Sequence, residues 1–225
     1  MIYRLEDKQI ELNVSKKSPL IAKGKNGNVY GYGTSALKVF DDLYEPPIDY
    51  ETARYMTSIY TDRILLPRKL LFYNDSFAGY SMKLVQKKGN VKKLINSPKE
   101  QLINNIKCLE QDVEIISNHR ILMSDMSPEN VQYNGKLYIS DPSKYRLFDV
   151  KSTDGLEKIN LYQLHLLLTE LFSEELRRIN FSKAAISRLK EIFGLRDIDQ
   201  TPSEYLNEII DEKDTIKEMV KRITR

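Results

Sequence analysis

With 225 residues, 41% hydrophobic and 30% charged, the chain can bury a full core and reads as one enzyme-sized unit, built in one or two lobes. Its 35 Lys and Arg against 32 Asp and Glu leave a formal charge of +3, too near balance to suggest nucleic acid or a membrane surface, and the local basic group Lys87, Lys88, Lys92 and Lys93 reads as solvated surface. The lone Cys108 excludes a disulfide framework, and neither a signal core nor an apolar run near the ~20 residues that span a bilayer is seen, so a soluble, cytoplasmic protein is expected.

Residues 1 to 20 alternate irregularly and read as a strand or an irregular leader. From Leu20, LIAKGKNGNVYGYGTSALKVF sets strand-forming residues on either side of glycines, which predicts three strands in a meander. Gly24 and Gly27 lack a Cβ, so their backbone can approach a ligand and offer amides to phosphate oxygens; two glycines alone are a weak signal. Lys38, inside ALKVF, is on its own an ordinary strand lysine. After Pro46-Pro47, IDYETARYMTSIY has helical character, with Glu51 near its start. ILLPRKLLFYND and SFAGYSMKLV then predict an antiparallel pair around Asn74-Asp75-Ser76, completing a sheet of five strands.

Beyond Gly89 the character changes. Leu102, Ile106, Leu109, Val113 and Ile116 recur at helical spacing over residues 98 to 118, which predicts a long amphipathic helix with Pro98 near its start. His119 reads as a polar helix-end residue. LMSDMSPENVQYNGKLYISD follows: VQY and KLYIS flank Asn134-Gly135, a type I′ hairpin signal. Such a hairpin would bring Asn130 and Asp141 side by side, and hard oxygen donors of this kind suit magnesium. Asp125, on the turn before, would face the same point. Taken alone, a Ser-Pro turn and an Asn-Gly hairpin are common surface features. Pro142 should hold Asp141 extended, and Lys144, Tyr145 and Arg146 are near enough to touch a substrate. NLYQLHLLLTELF is apolar nearly all round and predicts a buried helix, with His165 as a packed core histidine. Three shorter helices should follow: Ser182 to Phe193 stopped by Gly194, one opened by a capping box at Thr201 and Glu204, and Thr215 to Arg225.

Five of these segments resemble, in order, the elements of the protein kinase superfamily over roughly residues 20 to 172. A-x-G-x-x-G-x-V, with Ala22, Gly24, Gly27 and Val29, is similar to the glycine-rich loop, and A-L-K-V to the strand that carries the phosphate-binding lysine. D-x-x-P-E-N resembles the catalytic loop, Asp141 the metal-binding aspartate, and the 160–172 segment the central helix of the larger lobe. The resemblance implies an α+β, bilobal kinase-like fold in a single domain over residues 1 to 225. A small lobe to about residue 85 would hold a five-stranded antiparallel sheet and one helix, and a mostly helical lobe would follow.

By the same resemblance, Lys38 contacts the α- and β-phosphates of ATP and Glu51 pairs with Lys38, although Glu51 also reads as a solvated residue. Val29 and Ala36 cover the adenine, Met82 stands at the back of its site, and Lys83-Leu84-Val85 is the connection beside its edge. Asp125 is the catalytic base or hydroxyl-orienting residue, and Asn130 and Asp141 hold magnesium or manganese. The pattern departs at Met123-Ser124 for His-Arg, Ser127 for Lys, Pro142-Ser143 for Phe-Gly, Asn160 for Asp and His165 for Gly, and the peptide-docking A-P-E motif is missing. Those departures imply slow turnover, no switching by loop phosphorylation and a constitutively assembled site. The implied reaction is transfer of a γ-phosphate to a Ser or Thr hydroxyl on protein. A small-molecule phosphoacceptor, or a nucleotide-binding pseudokinase without turnover, remains open.

Overall fold

Two apolar runs, Ser35–Phe40 and Ser76–Lys83, pair antiparallel at the centre of a sheet, and every residue from Ala36 to Phe40 is buried. The computed structural model describes residues 2–6, 8–11, 20–85, 91–149 and 153–224. Lys87, Lys88, Gly89 and Arg225, on which some expectations fell, lie outside them. The sheet has seven strands: β1 (Ile2–Leu5), β2 (Lys8–Glu11), β3 (Leu20–Gly24), β4 (Gly27–Tyr32), β5 (Ser35–Phe40), β6 (Lys69–Tyr73) and β7 (Ser76–Lys83). Their order is β2-β1-β6-β7-β5-β4-β3, with antiparallel pairing throughout.

The expected five strands are therefore two too few. Residues of the leader form the β1–β2 hairpin, which adds to the edge of β6. Burial explains the addition: Tyr3 and Ile10 join Tyr30, Leu37, Val39, Leu71 and Ala78 in one apolar cluster, and the Arg4 guanidinium lies 4.7 Å from the Phe72 ring centroid. Between β6 and β7, Asn74 and Asp75 both take positive φ, 47° and 62°, as a two-residue type I′ turn requires. Gly79 sits beside β5 at φ 149°, where a Cβ would run into the Lys38 carbonyl oxygen. The glycine thus lets β7 approach the backbone of β5.

A short helix, α1 (Tyr50–Met56), is opened by Asp49, whose side chain accepts the Thr52 N–H at 2.8 Å. The Asp49 carboxyl is held below its ordinary range: burial opposes this, but the Thr52 hydrogen bonds and Arg146 outweigh it. Tyr50 packs its ring against Phe72 and Phe77.

The chain divides into two units. One takes in Met1–Thr61, Leu65–Gln86 and Asp141–Leu147, and the other Asp62–Ile64, Lys87–Ser140 and Phe148–Arg225. The first holds the sheet, α1 and a short strand, β11 (Arg146–Leu147). The second holds β8 (Ile121–Leu122), β9 (Val131–Tyr133), β10 (Leu137–Ile139) and the helices α2 (Lys99–Asn118), α3 (Asp154–Arg178), α4 (Lys183–Phe193), α5 (Pro202–Ile209) and α6 (Ile216–Ile223).

On α2, the expected stripe Leu102, Ile106, Leu109, Val113 and Ile116 is buried. One turn of the same helix carries the buried Asp112, whose carboxylate accepts three backbone N–H groups, from Asp62 at 3.1 Å, Arg63 at 2.6 Å and Ile64 at 2.7 Å. That contact draws residues 62–64 into the second unit. Helix α3 is longer than the apolar run suggested and is not buried all round: Ile159, Tyr162 and Leu166 are exposed, while Leu161, Leu164, Leu168 and Phe172 are in the core. The stripe repeats at helical spacing, so one side of α3 faces the core and the other does not. Capping boxes close at Thr201 with Glu204 and at Thr215 with Glu218. Helix α4 ends at Gly194, which stays right-handed at φ −67°. Among the described residues no helix is long and apolar enough to cross a membrane.

Candidate functional site

In the first unit two of the residues that the sequence singles out, Lys38 and Asp141, meet directly. Lys38 is 2% exposed, and its ammonium makes an ion pair with the Asp141 carboxylate and lies 3.4 Å from the Ser143 hydroxyl. Ser143 donates to the other oxygen of Asp141, so the hydroxyl links both charges. Lys38 and Asp141 stand 103 positions apart in sequence. A buried ammonium requires a counter-charge, and here Asp141 supplies it.

Glu51 does not. It is exposed in the first turn of α1, and the Lys38–Glu51 pairing expected from the sequence is not formed. The short helix begins only at Tyr50, which leaves Glu51 at its solvent-facing start. Asp141 also departs from expectation: it is left-handed, with φ 67° and ψ 71°, where the following proline suggested extended backbone. Aspartate tolerates this region better than most residues, and the bonds to Lys38 and Ser143 hold it there.

Two tyrosines surround the pair. Tyr80 lies directly opposite Lys38 across the β5–β7 ladder and is fully buried. Burial first, and then the Asp141 charge, push the phenols of Tyr80 and Tyr145 well above their ordinary range. The Tyr80 hydroxyl is close enough to Asp141 and Ser143 to feel both, yet makes no hydrogen bond of normal geometry. Tyr145, expected near a substrate, is instead 2% exposed. Arg146 is spent on the backbone, donating to the carbonyls of Ser143, Tyr145 and Pro47.

The glycine turn passes beside the ammonium: a Cβ on Gly24 would stand 4.0 Å from the Lys38 Nζ. Gly27 has a structural duty as well, because at φ 144° a side chain there would collide with the Val39 carbonyl oxygen. Ala22 and Gly24 are exposed and Val29 is half-buried. Ala36 and Met82 are buried and face each other across the β5–β7 ladder. The Leu84 N–H donates to the Thr34 carbonyl at 3.4 Å.

In the second unit, Asp125 is exposed with φ 56°, and Asn130 ends a 3-10 turn begun by Pro128. The β9–β10 hairpin closes on Asn130 through Ser140, whose N–H and hydroxyl both donate to the Asn130 carbonyl at 2.9 Å. Its loop spans Asn134, Gly135 and Lys136, with positive φ only at Gly135, so it is not the type I′ turn expected from Asn-Gly. Asn160, fully buried on α3, fixes the segment leading to Asp125. Its Oδ1 accepts the Met123 N–H at 2.8 Å, and its Nδ2 donates to the Ser117 hydroxyl and the Ile121 carbonyl, both at 2.9 Å. An amide does both jobs here.

His165 is a packed core histidine, as read: its Nε2 donates to the Phe193 carbonyl at 2.9 Å. Sequence reading missed the roles of Ser143, Tyr80 and Asp112. Only the Pro142-Ser143 substitution marked one of them, and nothing local marks a strand tyrosine or a helix aspartate as part of a polar cluster. Among the described residues no group of three or more His, Cys, Asp or Glu comes together. Compared with known proteins, the chain matches no family model and no curated sequence.

Proposed function

We propose that the chain is an ATP- and divalent-metal-dependent phosphotransferase of the protein kinase-like class, acting in the cytoplasm on Ser or Thr hydroxyls of protein. The observation that carries this reading is the meeting of Lys38, Asp141 and Ser143 beside the Gly24 backbone. A buried lysine at the foot of a glycine turn suits the α- and β-phosphates of a nucleotide, and the paired faces of Ala36 and Met82 offer an apolar surface to its base. By the resemblance, Val29 also covers the base and Leu84 lies in the connection beside its edge.

Magnesium and manganese take hard oxygen donors, often one or two carboxylates completed by water and phosphate oxygens. The Asp141 carboxylate provides that donor chemistry, and the resemblance of its segment gives Asn130 the same role; a metal ion would supply positive charge against the phosphates. Before either partner can act, Lys38 must exchange Asp141 for phosphate, so nucleotide binding competes with the ion pair. Asp125, carried over from the resemblance of its segment, orients the acceptor hydroxyl. Most of the catalysis asked of such residues is alignment and charge neutralisation.

A nucleotide-binding pseudokinase is the second reading. It is favoured by the engagement of Lys38 with Asp141 rather than Glu51, and by Ser127 where the resemblance calls for Lys. The test is incubation of the purified chain with γ-labelled ATP and magnesium or manganese, with and without a generic protein acceptor, beside Asp125→Asn and Asp141→Ala. Label on protein that is lost in both variants supports the kinase. Nucleotide binding with no label on protein sinks the protein-kinase reading and leaves a small-molecule kinase or the pseudokinase.

A further inference from the structure

Just past the end of α1, and wholly within the first unit, lies a cavity of about 280 Å³, near the lower end of small-molecule pockets. Its lining sets the buried apolar side chains Ile59, Leu65 and Leu66 beside two cations, Arg68 and Lys83, and among the described residues no Asp or Glu lines it. Arg68 is anchored by its backbone, whose N–H donates to the Ser81 carbonyl at 2.8 Å. Its guanidinium is exposed and makes no hydrogen bond or ion pair with a described residue. An open planar fork of donors beside apolar surface suits a carboxylate, which it grips through two parallel bonds. Lys83, half-buried, adds a second positive charge.

Groups that would repel an anion are already occupied. A helix end turns carbonyl oxygens outward and carries partial negative charge. Here the Thr57 and Ser58 hydroxyls donate to the Arg54 and Tyr55 carbonyls at 2.7 Å each, and the Ile59 N–H donates to the Met56 carbonyl at 3.0 Å. Asp62, the nearest acid in the chain, does not line the cavity and pairs its carboxylate with Arg63 at 2.8 Å. We propose that this cavity binds a small organic carboxylate with a compact apolar body, the carboxylate on Arg68 with Lys83 beside it, and the body against Ile59, Leu65 and Leu66. Both ends of the ligand are needed. An ion pair to an exposed guanidinium is weak by itself, and burial of the apolar body supplies the rest. Gly24, Ala36, Lys38, Met82 and Leu84 do not line this cavity, so the inference stands apart from the phosphotransferase reading.

The test is a titration of the full chain, labelled at its Ile and Leu methyl groups, with isocaproate at neutral pH and constant ionic strength. Two controls run beside it: acetate, which lacks the apolar body, and isocaproamide, which lacks the charge. Isocaproate should bind saturably, roughly ten-fold or more tighter than either control, the scale of one charge-assisted hydrogen bond. The Ile59 and Leu65 methyl signals should move as it is added. Arg68→Gln keeps the backbone bond to Ser81, so it should leave thermal melting in place and weaken isocaproate by a similar factor of about ten or more. The methyl shifts in wild-type protein decide the matter even if that variant fails to fold. No saturable binding, equal affinity for either control, unmoved Ile59 and Leu65 methyl signals, or unaltered affinity in a folded Arg68→Gln overturns the proposal.

Discussion

Replacing Asn160 by Asp tests why an amide stands where the kinase resemblance has an acid. The substitution keeps the acceptor for the Met123 N–H and removes two donated bonds, to the Ser117 hydroxyl and the Ile121 carbonyl. Each leaves a buried acceptor facing a carboxylate, at roughly 1–3 kcal/mol apiece, while the retained bond gains from the new charge. The net loss should be about 2–4 kcal/mol at pH 7, a large part of the ~5–15 kcal/mol typical of a folded domain. The chain has no Trp, so urea unfolding is followed by far-ultraviolet circular dichroism. The pH dependence has a definite sign. Burial without a donor raises the folded-state pKa of the introduced carboxyl above the ordinary ~3.9, so the deficit relative to wild type is least below that value and grows as pH rises through the raised one. A variant within about 0.5 kcal/mol of wild type at pH 7 refutes the account, because the two donated bonds would then contribute nothing.

Three further outcomes follow from single sites. Gly79→Ala should unfold the first unit or lower its midpoint sharply, since the added carbon meets the Lys38 carbonyl at a φ that L-residues avoid; soluble yield and thermal melting report it. Thr201→Ala removes one half of a capping box and should cost about 1 kcal/mol in urea unfolding. His165, held down to about 4 by burial, should make stability full above pH ~6.5 and erode it as pH falls toward 4, because the unfolded state takes up the proton first. That slope should be absent in His165→Gln, measured by chemical unfolding between pH 4 and 8 in phosphate-free buffer.

Much of the sheet was legible because its signals are local. The ALKVF and SFAGYSMK runs announce central strands by composition alone, and the stripe from Leu102 to Ile116 announces α2. What failed depended on partners far along the chain. Tyr3 and Ile10 look like an irregular leader until the apolar cluster around Leu37 and Leu71 gives them something to cover. Turn chemistry misled in the same way: Asn134-Gly135 carries the stronger type I′ signal, yet Asn74-Asp75 makes that turn, because the flanking register sets the loop length. In the candidate site, Lys38 and Asp141 were both marked by their segments. Their direct pairing was not, nor was the hydroxyl that bridges them, since neither is encoded by residues adjacent to them.

Ser143 is therefore the residue that separates the observed pairing of Lys38 from its proposed role toward nucleotide. In the structure it steadies the ion pair, donating to Asp141 while accepting from the ammonium. If that paired state is what a nucleotide must displace, then Ser143→Ala weakens the competitor: stability should fall by about 1.5–3 kcal/mol, the usual scale for a hydrogen bond to a charged group, while affinity for ATP rises, up to about ten-fold for each ~1.4 kcal/mol by which the pair is loosened. Thermal melting of the free chain and a nucleotide titration by calorimetry give the two numbers separately. Opposite signs are the signature of a lock. Were Ser143 instead part of the phosphate site, both quantities would fall together, and the view of Lys38–Asp141 as a closed resting pair would have to be abandoned.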